Sequence, residues 1–161
     1  MGLPEVRHFQ LAKRSGLHGV CEVSVDYSTL KNCNVEFNAY TYATELTEDW
    51  TPINITKADD CDSYATAKQW RLVKDHGFPE ASTRLACCFV EPFRKADGNW
   101  ATKGERYHLV LLVNLDDTTY VLDNRHPLPI PYDHLPYEWH KFWNHDLNAW
   151  EWAQGADRTI S

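Results

Sequence analysis

The residues with the most chemistry in them are a cysteine, a histidine and an aspartate far apart in the chain. In Asp59-Asp60-Cys61-Asp62-Ser63-Tyr64 a thiol stands among carboxylates. It lies where an irregular stretch, with Trp50-Thr51-Pro52 ahead of it, gives way to a helical pattern. Asp59 or Asp60 suits an N-cap, and Gly77 followed by Pro79 is a stop signal, so the spacing predicts a helix over about 61–76. Cys61 then lies in the first turn, where unpaired N–H groups and the positive dipole end favour a thiolate. The flanking acids oppose that charge unless something neutralises it.

A partner for the thiol follows from hairpin geometry. Arg106–Leu115 reads as a strand, Asp116-Asp117 as a turn and Thr118–Asp123 as the returning strand. Centring the turn on the two aspartates sets Val110 opposite Asp123 and His108 opposite Arg125. His108 and Asp123 are then diagonal neighbours on one face, ~7–8 Å apart between backbones and within side-chain reach. A loop one residue longer or shorter moves Asp123 to the other face. With Cys61 this makes a nucleophile, a base and an orienting acid, the set used in thiol acyl transfer. Taken singly, each residue also has an ordinary reading. His108 can be a satisfied histidine at the head of an apolar strand, Asp123 a turn residue before Asn124, and Cys61 a buried thiol.

The elements that must position these residues form, on the expected reading, one domain over 1–161. It has an N-terminal arm over about 1–19 and a flexible tail over 153–161. At 161 residues the chain is long enough to bury a core without staples. Val20–Tyr27 alternates with period two and reads as a strand, 34–48 as a helix and 49–60 as a loop. Arg84–Val90 is a short apolar run with the length of a buried strand, followed by a polar, glycine-containing loop at 95–104. Residues 125–137 hold four of the eight prolines and are expected to be extended loop. The aromatic-rich stretch from Trp139 to Trp152 is expected to pack back on the body.

Five cysteines without a C-x-x-C pair fit neither a disulfide framework nor a standard zinc site. Cys87 and Cys88 read as small core residues, and Cys21 and Cys33 as a possible pair under oxidising conditions. A net charge of −7 argues against nucleic acid or an anionic membrane as partner. With no apolar signal core near Met1, a cytoplasmic or virion-associated location is expected.

These segments resemble the bacterial transglutaminase-like cysteine peptidases. Asp60-Cys61-Asp62-Ser63-Tyr64-Ala65-x-x-Lys68 is similar to the family's G-D-C-E-D-Y-A-x-x-K signature. His108-Leu109-Val110-Leu111-Leu112-Val113 is similar to its H-x-V-L-x-V strand, and Val121-Leu122-Asp123-Asn124 to its v-L-D-N. Trp50 with Pro52 ahead of the cysteine is also similar. The resemblance implies an α+β, papain-like fold of the transglutaminase type, with the nucleophile helix packed on an antiparallel sheet. It implies Cys61 as nucleophile, His108 as base and acid, Asp123 as orienting acid, and Asn124 beside it. Oxyanion stabilisation would come from the Cys61 N–H and a side-chain donor, with Trp50 the candidate.

One branch of that family, the calcium-dependent adhesin proteases, binds Ca²⁺ through acids flanking the cysteine. Asp60 and Asp62 match those positions, and calcium would neutralise the charge beside the thiol. The alternative is an N-cap and a first-turn acid. The chain departs from the signature at Asp59, where the family has Gly, and at Ser63, where it has a second acid. The implied activity is hydrolysis of a peptide or isopeptide bond in a protein or peptide substrate. Transfer of the acyl group to an amine, or a non-catalytic binding module, would use the same fold.

Overall fold

The computed structural model describes residues 25–39 and 61–159, and the first element among them is a helix whose start is set by Asp26. Asp26 is extended (φ −121°, ψ −178°), and its carboxylate accepts from the Thr29 N–H at 3.1 Å, capping helix α1, Tyr27–Asn38. The expected strand over Val20–Tyr27 is corrected here for its described end. Asp26 is a cap and Tyr27 already helical, while 20–24 lie outside the described residues. The helix expected over 34–48 is present as α1 but starts earlier and ends at Asn38; 40–48 lie outside the described residues.

Helix α2, Cys61–Lys74, opens on the cysteine itself. Asp62 stands in its first turn and Arg71 and Lys74 in its last, each favourable to the helix dipole. Gly77 at φ +68° reverses the chain, letting the Phe78 N–H donate to the Leu72 carbonyl at 2.9 Å. The two helices are joined at the surface by Arg71, which bonds Glu36 at 2.9 Å and lies over the Phe37 ring.

Among the described residues, six strands make one antiparallel sheet in the order β4-β3-β2-β1-β5-β6. They are β1 Thr83–Phe89, β2 Tyr107–Leu115, β3 Thr118–Leu122, β4 Ile130–Pro131, β5 Glu138–Asn144 and β6 Ala149–Trp152. Central β1 is buried along almost its whole length, as its unbroken apolar run requires. The β2–β3 register pairs Leu111 with Leu122 and Leu112 with Val121, the pairing that the Asp116-Asp117 turn predicts. Leu85, Cys87, Leu109, Leu111, Val113 and Leu122 face α1 and α2 in the main core. Ala86, Val110, Leu112 and Val121 are covered instead by Tyr132, Leu135, Trp139 and Phe142. Two helices on an antiparallel sheet are the expected α+β architecture.

Three expectations about the second half change. Residues 125–137 are not wholly irregular, because Ile130 and Pro131 pair with Val121 and Tyr120 to form the short edge strand β4. Proline is tolerated there because one side of an edge strand needs no donor. The aromatic stretch not only packs on the body but extends the sheet, β5 pairing with β1 and β6 with β5. Beyond β6, the segment read as a flexible tail is bonded to the body. The Ala153 N–H donates to the His140 carbonyl, and His140 Nε2 lies 2.8 Å from the Asp157 carbonyl oxygen. Cys33 is a free buried thiol, donating to the Lys68 carbonyl at 3.7 Å, and Cys21 lies outside the described residues. Among the described residues, no helix is long and apolar enough to cross a membrane.

Gly77 ends the helix that begins with Cys61 and has no neighbour that a methyl group would meet. Gly77→Ala therefore isolates the cost of the left-handed backbone. Denaturant titration should show a loss of about 1 kcal/mol.

Candidate active site

Cys61, His108 and Asp123 converge. Cys61 stands near enough to His108 to help raise the imidazole's pKa. His108 Nε2 lies 2.7 Å from Asp123 Oδ1, so Nδ1 takes no part in that bond. The carboxylate only accepts, so Nε2–H donates and the tautomer is set. Cys61 comes from the first turn of α2, His108 from the start of β2, and Asp123 from the residue after β3. Both members of the His–Asp pair are buried, His108 at 6% exposure and Asp123 at 1%.

The carboxylate is held by more than the histidine. Its Oδ1 also accepts from the Arg125 N–H at 2.8 Å, and its Oδ2 accepts from the Tyr137 hydroxyl at 2.5 Å. The Tyr137 oxygen accepts in turn from Arg125 Nη1 at 3.2 Å and lies 3.1 Å from His126 Nε2. Burial, followed by the Asp123 charge, pushes the Tyr137 pKa far above the usual tyrosine value, so it remains a donor. Sequence reasoning missed Tyr137; it sits in a proline-rich stretch whose path no periodicity reveals.

The electrostatics follow from these contacts. Burial alone would lower the His108 pKa, but the bond and charge of Asp123, with Cys61, outweigh it and raise the group to about 9. Burial alone would raise Asp123, but the His108 and Tyr137 bonds, the His108 charge and the Arg125 amide hold it well below the usual carboxylate range. Cys88, directly across the ladder from His108, is pushed up first by burial and then by the Asp123 charge. Cys33 is likewise pushed up to about 12, chiefly by burial. Cys33, Cys87 and Cys88 are buried, whereas Cys61 is partly accessible.

The remaining candidates divide. Asn124 lies in the turn after Asp123, and the bonds to the carboxylate come from Tyr137 and the Arg125 amide instead. Asp62 is buried, and its Oδ1 accepts from the Ser63 N–H at 2.8 Å. Trp50 and Asp60 lie outside the described residues. Among the described residues, no three His, Cys, Asp or Glu side chains form a group able to hold a metal ion.

The model of the bacterial transglutaminase-like cysteine proteinases matches residues 23–159. The chain belongs to this family. It is therefore a cysteine peptidase. Legionella pneumophila LapG in its calcium-bound form has the same fold, with a TM-score of 0.61 at 17% identity. That likeness covers 82% of this chain and 72% of LapG. An EGTA-treated LapG structure gives a TM-score of 0.58 at 17% identity, covering 81% and 70%. Comparison with curated protein sequences gave no match.

The buried pair sets a pH signature. His108 is raised above its unfolded value, so its stabilisation is complete below pH ~6.5 and fades as pH climbs through about 9. Asp123 is depressed, so its contribution is present above pH ~4 and lost on acidification. The stability excess of wild type over Asp123→Asn should therefore peak between these limits and shrink on the alkaline side. Denaturant titrations across pH measure it directly.

Proposed function

We propose that this peptidase hydrolyses a peptide or isopeptide bond through a Cys61–His108–Asp123 triad and an acyl-enzyme. The observation that carries this reading is the 2.7 Å bond between a buried imidazole and a buried carboxylate, supported by a partly accessible thiol at the start of α2 that helps raise the imidazole's pKa. His108 Nδ1 takes the thiol proton, and the sulfur attacks the substrate carbonyl. The imidazolium, held by Asp123, then protonates the leaving amine. Water, deprotonated by the same imidazole, attacks the thioester and releases the acid and the free thiol. The Cys61 backbone N–H and the Trp50 indole N–H are proposed as donors to the oxyanion.

Iodoacetamide at neutral pH should label Cys61 well ahead of Cys33, Cys87 and Cys88, as peptide mapping would show. Cys61→Ala should reduce peptide hydrolysis to background. Labelling spread evenly over the thiols would remove the triad reading.

Calcium enters through Asp60 and Asp62, since LapG structures are described in both calcium-bound and EGTA-treated forms. The described residues do not by themselves fit a calcium site. Asp62 Oδ1 already accepts from Ser63, and the six to eight oxygens of a calcium shell would have to come largely from elsewhere, Asp60 included. The binding reading makes a clear demand. Millimolar calcium added after EGTA treatment should raise the unfolding midpoint of wild type, and Asp60→Asn should abolish the rise. An unchanged wild-type midpoint would dismiss calcium binding at these acids.

A further inference from the structure

Lys68 is only 1% exposed, an unusual place for an ammonium group. Its Nζ donates to Asn34 Oδ1 at 2.8 Å and to Asn38 Oδ1 at 2.7 Å, both on α1. The two amides then turn their Nδ2 groups to the turn that carries the catalytic acid. Asn38 Nδ2 donates to the Asp123 and His126 carbonyls, each at 2.9 Å. Asn34 Nδ2 donates to the His126 carbonyl at 2.8 Å and the Pro127 carbonyl at 3.2 Å. Lys68 stands seven residues after Cys61 on α2, two turns further along the same side.

The chemistry explains why a cation stands there. An asparagine amide is nearly the same shape either way round, so packing alone does not choose which atom faces the turn. An ammonium has only donors, and so it selects the oxygen of each amide. That choice leaves both NH₂ groups aimed at the carbonyls of 123–127. An apolar residue at 68 would fill the space without selecting. Burial pulls the Lys68 pKa down to about 8 against the opposing charge of Asp123, a measure of what keeping the ammonium there costs.

We propose that Lys68 is a positioning residue: by orienting Asn34 and Asn38 it clamps the Asp123 turn to the helix that carries Cys61. This rests on the triad reading above and adds to it the part that sets the distance between acid and nucleophile. The salt bridge of Arg71 with Glu36 joins the same two helices without touching the turn, and it supplies the control.

The test compares wild type, Lys68→Met, Asn38→Ala and Glu36→Ala by two readouts, the His108 ring titration by NMR and the rate of Cys61 labelling by iodoacetamide. Asn38 lies at the partly exposed end of α1, so Asn38→Ala decides the matter should Lys68→Met fail to fold. In folded Lys68→Met and Asn38→Ala, the His108 midpoint should fall and Cys61 labelling should slow by about tenfold or more. Glu36→Ala should move neither. Folded variants that keep both wild-type values would overturn the proposal while leaving the triad standing. Wild type without selective Cys61 labelling would overturn the triad reading and this proposal together.

Discussion

A buried imidazole bonded to a buried carboxylate is the interaction on which the rest of this molecule depends. Removing each ion from water costs several kcal/mol, and mutual attraction offsets that only where the remaining polar atoms are satisfied. The 2.7 Å His108–Asp123 bond is accordingly one of several contacts to Asp123. Tyr137 serves Oδ2, the Arg125 amide shares Oδ1, and Asn38 takes the backbone carbonyl. These donors come from the approach to β5, from the turn after β3 and from α1. Each of those elements is therefore constrained by the charge at the centre, because a missing donor would leave a buried ion uncompensated.

The sheet contributes register. Every side chain of β3 changes face if its pairing with β2 slips by one residue, so the two-residue connection at Asp116 and Asp117 determines whether a pair forms at all. Asp116 accepts a left-handed backbone, φ 52°, which aspartate tolerates better than most residues. Across the ladder from His108 stands Cys88, fully buried and small. A bulky side chain at that position would compete with the imidazole for the same space, since directly opposed Cβ atoms are only ~4.5–5.5 Å apart.

What the sequence discloses divides along physical lines. Helix α2 and the β2–β3 hairpin are legible because their signals are local: a glycine and proline that stop the helix, a two-residue turn and apolar runs of strand length. The pair His108 and Asp123 is legible for the same reason, being separated by one hairpin. Tyr137 is not, because its approach to Asp123 depends on the path of a stretch with four prolines. Strands β5 and β6 are hidden by a different cause. The pairing of β1 with β5 runs from Lys141 opposite Cys87 to Trp139 opposite Cys88, so His140 is skipped and the period of two is broken. His140 is buried there among Phe89, Tyr107 and Trp152 instead.

Helix α1 shows the same division at its sharpest. Its inward face carries Leu30, Cys33, Asn34 and Phe37, so two of the four buried positions give little apolar signal. Across from them α2 buries Lys68 and Asp62 beside Tyr64 and Leu72. Each polar choice weakens the amphipathic pattern by which a packing helix is ordinarily recognised. The weakness is not a defect of packing, because Lys68, Asn34 and Asn38 bond one another and the Asp123 turn. Local pattern and final structure disagree most where a helix must hold charge in place as well as fill space. An apolar seam between α1 and α2 would be easier to read and would give up the bonds that Asn34 and Asn38 make to the carbonyls of 123–127.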